Sequence, residues 1–102
     1  MTREQIKIIA SLKKKGYLFD KKPLINCLCF NKYYWKNVEP KKRKTYVHVV
    51  FYLHTDTKQA SLTIFTDFSI QDTNELEKYY IVANRVKADL QELGFTVNGS
   101  KK

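Results

Sequence analysis

Residues 45–54 read TYVHVVFYLH, and this stretch decides the fold. Val47, Val49, Phe51 and Leu53 alternate with Tyr46, His48, Val50, Tyr52 and His54. A period of two, filled with β-branched and aromatic residues, marks a strand with one face against a core. Val47, Val49, Phe51 and Leu53 form the inward set. Residues 60–70, ASLTIFTDFSI, continue the alternation, with Leu62, Ile64, Phe68 and Ile70 inward and Ser61, Thr63, Phe65, Asp67 and Ser69 outward. The connection Thr55 to Gln59 contains no glycine, which predicts a longer hairpin loop built on a type I turn.

Upstream, residues 24–36 (LINCLCFNKYYWK) are rich in β-formers and aromatics and predict a third strand. Its even set (Leu24, Leu28, Phe30) and its odd set (Ile25, Cys27, Cys29) are both apolar, so the buried face is left open. Residues 37–44 (NVEPKKRK) read as the loop between strands, marked by Glu39-Pro40 and a run of cations.

Helices close both ends. Thr2 and Gln5 have the spacing of a capping box, and Gly16 follows Lys13-Lys14-Lys15, a cationic last turn that suits the helix dipole. Ile6, Ile9, Ala10 and Leu12 supply the apolar face. Pro23 turns Lys22 away from helix, so residues 17–23 read as a connection. Asp72 and Glu75 form a second capping box, and Leu76, Tyr79, Tyr80, Ala83, Val86, Leu90 and Leu93 repeat at helical spacing. Gly94 stops that helix, with Phe95 folding back on Leu90. Residues 95–97 then form either a short strand or a lid on the core. The expectation is one α+β domain over residues 1–97, with a disordered polar tail at 98–102. Its architecture is a two-layer sandwich of helix, three-stranded antiparallel sheet and helix (αβββα). Double-stranded-RNA-binding domains and some small toxin ribonucleases share that order. The order alone implies no function, and no quotable family motif is present.

Charge narrows the partners. The chain of 102 residues carries 19 Lys+Arg and 10 Asp+Glu, a net of +9. Residues 1–44 hold 13 of the cations and three acids, a net of +10, and the remainder holds six cations and seven acids, a net of −1. This asymmetry describes one basic surface and predicts an anionic partner, either nucleic acid or an acidic protein. Lysine outnumbers arginine 16 to 3, a bias of AT-rich coding sequence that points to a phage or mobile element.

The candidate nucleic-acid contacts are Lys32, Lys36, Lys41, Lys42, Arg43, Lys44 and the cluster Lys13, Lys14 and Lys15. Their charges would neutralise phosphates. Tyr33 and Tyr34, set between lysines, are candidates to stack on bases, and Trp35 is assigned to the core. The outward face of the sheet offers Tyr46, His48, Tyr52, His54 and Phe65, along with Thr63. That face reads as a binding platform, a homodimer interface or a surface beneath the first helix.

Chemistry is sparse. His48 and His54 lie about 20 Å apart along one strand at roughly 3.3 Å per residue, too far to share a metal. Cys27-x-Cys29 lacks zinc-site spacing and reads as a pair of free thiols in a reduced compartment. Asp56, Asp67 and Asp72 already have structural work in a turn, on a strand and at a helix cap. No catalytic residue, metal or cofactor is expected. The N-terminus has no apolar signal run, and no stretch reaches the ~18 apolar residues of a membrane span, so a cytoplasmic location is expected.

The leading expectation is a small non-enzymatic nucleic-acid-binding protein. Two alternatives follow it. One is a protein-binding inhibitor or regulator of a host nuclease or polymerase, and the other is a toxin-like, metal-independent ribonuclease acting through His48 or His54.

Overall fold

Strands β3 (Val47–His54) and β4 (Gln59–Thr66) pair antiparallel without interruption, from Val47↔Thr66 to His54↔Gln59. The structure, a computed structural model, describes residues 1–34, 47–66 and 73–98. Val47, Val49, Phe51 and Leu53 are fully buried, as their alternation requires. Each such side chain contributes about 1.5–3 kcal/mol of transfer free energy. The turn between the strands, Thr55 to Lys58, closes through the Lys58 N–H on the His54 carbonyl at 2.8 Å. Lys58 takes the left-handed conformation there, with φ 61°.

The sheet differs from the expected three antiparallel strands. Among the described residues it has five, in the order β1-β2-β3-β4-β5, and it is mixed. Residues 17–23 are not a connection: β1 (Leu18–Leu24) pairs antiparallel with β2 (Cys27–Tyr34) through a tight turn at Ile25-Asn26. Strand β1 escapes an alternation test because every residue but Lys22 is exposed. Pro23 is tolerated because β1 is an edge strand, where a missing N–H costs no ladder bond. At the other edge β5 (Thr96–Asn98) pairs parallel with β4, Gln59↔Thr96 to Ser61↔Asn98. Asn98 therefore belongs to the sheet rather than to a tail.

The helices cover one face. Helix α1 (Arg3–Lys14) starts on the Thr2–Gln5 capping box. It buries Gln5, Ile8 and Leu12, while Ile6, expected on the apolar side, is exposed. Gln5 does more than cap: its amide donates to the Ile25 carbonyl at 3.1 Å and to Thr55 Oγ1 at 3.3 Å, tying the helix to two hairpin turns. Helix α2 (Thr73–Glu92) buries Val82, Val86 and Leu90 but leaves Tyr80 exposed. The side chains of Glu75 and Leu76, and residues Phe68, Ile70 and Asp72, lie outside the described set.

Both helices end in the same way. Gly16 (φ 93°) and Gly94 (φ 90°) occupy left-handed stops, where a Cβ would cost ~1–2 kcal/mol. Tyr17 N–H reaches Leu12 O at 3.0 Å, and Phe95 N–H reaches Leu90 O at 3.1 Å. These 6→1 bonds drop Tyr17 and Phe95 into the core beside Leu28, Phe30 and Phe51. Tyr17 meets Phe51 edge-on at 5.3 Å, and Phe51 stacks on Phe30 at 5.5 Å.

Candidate functional site

The register fixes what the second sheet face carries. Strands β2 and β3 pair Tyr33↔His48 and Asn31↔Val50, and β3 and β4 pair His48↔Phe65 and Val50↔Thr63. These residues alternate with the buried set and so point away from both helices. Both described helices pack on the opposite face, although Cys27 and Cys29 are buried on this one by their strand neighbours.

Its end nearest Tyr34 and Val47 carries a row of rings across three strands. Tyr33 and His48 stack face to face, 4.0 Å between centroids and 6° between planes. His48 and Phe65 follow at 5.9 Å and 33°. Tyr33 is 43% exposed and Phe65 52%. Burial lowers the His48 pKa, which favours the neutral imidazole between its two neighbours. The next row, Asn31, Val50 and Thr63, is uncharged.

Farther along the face the character changes. Cys29 lies between Lys21 of β1 and Tyr52 of β3, and its Sγ is 3.8 Å from an Asp20 carboxylate oxygen. Cys27 pairs with His54, and the two join Leu24, Ile25, Asn26 and Asp56 around a hollow of about 270 Å³. Both cysteines are free and buried. Burial raises both thiol pKa values, so neither is a poised thiolate. Among the described residues, no three His, Cys, Asp or Glu side chains converge to hold a metal ion.

The structure separates residues that the sequence grouped. Tyr33 points to the open face, whereas Tyr34, one residue on, packs against the core on the helix side. Its hydroxyl lies 3.2 Å from that of Tyr17, which in turn donates to Asp89 at 2.7 Å. Burial and these two neighbours hold the Tyr17 hydroxyl far above its ordinary pKa.

Lys32 also points to the helix side. Its Nζ donates to the Lys15 carbonyl at 2.9 Å and sits 4.5 Å from the Tyr34 ring and 5.0 Å from the Tyr17 ring. It therefore satisfies a carbonyl at the end of α1. Lys15 pairs with Glu92 at 3.3 Å and Asp89 at 3.9 Å. Lys13 and Lys14 are exposed, but on the helix layer, across the sheet from the ring row.

Lys36, Lys41, Lys42, Arg43, Lys44, Trp35 and Tyr46 lie outside the described residues. The chain does fix where their segment begins and ends. Residues 35–46 leave β2 at Tyr34 and enter β3 at Val47, and those two residues are antiparallel partners. The segment holds five cations and one acid, a net of +4. It is thus joined to the sheet at the end that bears Tyr33, His48 and Phe65.

Sequence reasoning treated Tyr33 and His48 as separate candidates. Their stacking follows from the β2–β3 register, which pairs residues summing to 81. A minimal hairpin closure could have suggested that sum, had the length of segment 35–46 not left it free. No helix of the described residues is long and apolar enough to cross a membrane. Comparison with protein-family models, curated proteins and solved structures finds no match for the chain.

Proposed function

We propose that the protein is a non-enzymatic nucleic-acid-binding module. Its open sheet face would receive bases and the 35–46 segment would engage phosphates. One observation carries this reading. A row of rings, with Tyr33 and Phe65 exposed, lies on the face away from the helices, at the sheet end from which a net +4 segment departs. Cations supply sequence-independent affinity through counterion release, and rings supply stacking.

The reading assigns the phosphate work to Lys36, Lys41, Lys42, Arg43 and Lys44. It removes Lys32 and Lys15, whose amines are occupied within the fold. Two free, buried cysteines support a cytoplasmic setting. A protein-binding role has weaker support. Leu18, Leu24 and Ile25 are exposed along the β1 edge, but Lys21, Lys22, Pro23 and two irregularities in pairing oppose strand addition there.

The test is fluorescence anisotropy with labelled oligonucleotides between 50 and 200 mM salt. Five engaged phosphates give a slope of log K against log salt of about −3.5 on a single strand and about −4.5 on a duplex. Affinity that does not change with salt, or no binding to any oligonucleotide, refutes the proposal.

A further inference from the structure

We infer that the outer face of α1 seats the protein on an anionic lipid bilayer, lying on the surface without crossing it. This contact is separate from the proposed nucleic-acid contact, because α1 and the ring row lie on opposite sides of the sheet.

The first observation is a helix whose free side carries one sign of charge. At 3.6 residues per turn, Arg3, Lys7, Ala10 and Lys14 fall in one sector roughly 60° wide. That sector lies opposite Gln5, Ile8 and Leu12, which are buried on the sheet. Ile6 and Lys13 flank it, and all six residues are exposed. From Arg3 to Lys14 the face runs about 16 Å along the helix. It is also held rigidly. The Thr2–Gln5 capping box and the Gln5 amide bonds to Ile25 and Thr55 fix α1 on the sheet, so binding orders no new segment.

The second observation is that these charges have no use inside the fold. Glu4, the one acid of α1, is neutralised by an ion pair with Lys58. Lys15 is taken by Glu92 and Asp89. Among the described residues, Arg3, Lys7, Lys13 and Lys14 have no acidic partner. Helix α2 differs, since its exposed Glu77 and Glu92 are mixed with Arg85 and Lys87. An unbalanced group of four cations attracts an anionic surface. Each lysine or arginine close to such a bilayer strengthens binding by about fivefold.

The third observation selects a bilayer among the anions. Ile6, beside the cations, is 56% exposed, and Met1, just ahead of the Thr2 cap, is 60% exposed. Apolar side chains gain nothing from the hydrated phosphates of a nucleic acid. They do gain on entering the boundary between headgroups and acyl chains. Lysine supplies three of the four cations. Its compact, strongly hydrated charge suits a diffuse field of headgroups, whereas protein interfaces are enriched in arginine and depleted of lysine. Ala10, in the middle of the sector, lets the helix lie close to a flat surface.

The experiment is co-sedimentation with vesicles of phosphatidylcholine alone or with about 30 mol% phosphatidylserine, at low and at physiological salt. The variants are Lys7→Gln combined with Lys14→Gln, Ile6→Ser, and, as a charge-matched control on α2, Arg85→Gln combined with Lys87→Gln. Every substituted side chain is exposed, and circular dichroism verifies each fold. The expected result is binding to the phosphatidylserine vesicles that weakens with salt, and none to phosphatidylcholine alone. The α1 double variant should bind about 25-fold more weakly. Ile6→Ser should bind about 3- to 10-fold more weakly, and the α2 control should bind like wild type. Equal binding to both compositions, binding to neither, wild-type affinity in either α1 variant, or an equal loss in the α2 control overturns the inference. The same variants are titrated with labelled single-stranded and duplex oligonucleotides by anisotropy. If the α1 double variant loses as much oligonucleotide affinity as vesicle affinity, the face belongs to nucleic acid and the inference is likewise overturned. Vesicle binding without oligonucleotide binding leaves the inference standing and refutes the proposed function instead.

Discussion

Replacing Lys32 with methionine separates a structural lysine from a phosphate contact. Methionine keeps an unbranched stem but removes the amine. That amine donates to the Lys15 carbonyl at 2.9 Å and lies over the Tyr34 and Tyr17 rings at 4.5 and 5.0 Å. A hydrogen bond from a charged donor contributes about 1.5–3 kcal/mol when well shielded, and each cation–π contact about 0.5–1 kcal/mol. Lys32 is only half-buried, and methionine regains some desolvation cost, so the net loss is about 1–2 kcal/mol. In urea, with a slope of about 2 kcal/mol/M, the midpoint should fall by roughly 0.5–1 M. The same variant should leave the salt slope of oligonucleotide binding unchanged. A lysine that touched phosphate would lower that slope by about 0.7–0.9 on removal. Wild-type stability combined with a reduced salt slope would refute the placement of Lys32 inside the fold.

Other perturbations probe the same scaffold. Gly16→Ala and Gly94→Ala both force a left-handed alanine, at ~1–2 kcal/mol each. At Gly16, however, the new Cβ also meets Lys32 Nζ at 3.1 Å, whereas nothing lies within 4 Å at Gly94. Thermal unfolding should therefore show the larger loss for Gly16→Ala, and that excess should vanish in a Lys32→Ala background. Gln5→Leu should cost about 2–3 kcal/mol by chemical denaturation, because it leaves the Ile25 carbonyl and Thr55 hydroxyl without their amide partner and breaks the cap. The His48 pKa is lowered in the fold, so the unfolded chain binds the proton more readily. Stability contributed by His48 is then present above its unfolded pKa of about 6.5 and declines as pH falls below that value. Denaturation midpoints measured from pH 7.5 to pH 5 should show this decline, and His48→Phe should flatten it.

Strands β3 and β4 and the α1 cap were legible because burial on one face writes a period into the sequence. The inward set of β3 is also the fully buried set. Strand β1 left no such trace. LFDKKPL packs neither face tightly, and its pairing with β2 depends on a turn at Ile25-Asn26 that lacks glycine. The ambiguous strand at residues 24–36 has a physical cause. Leu28 and Phe30 fill the core, while Cys27 and Cys29 are buried on the opposite face beneath β1 and β3 neighbours. Parity alone places Tyr33 and Tyr34 on opposite faces, but which is exposed depends on the helix layer. The fate of Lys32 was the least legible. A lysine between aromatics reads as a ligand contact, yet a left-handed Gly16 opens the space through which it reaches the end of α1.

The central claim is that nucleic acid binds the open sheet face. A ¹H–¹⁵N correlation titration with a ten-nucleotide single strand tests it most directly. Shifts should concentrate at residues 31–33, 48–50 and 63–65, with Lys13, Lys14 and the exposed face of α2 unaffected. Shifts confined to the helix layer, with the Tyr33, His48 and Phe65 amides unmoved, would contradict it.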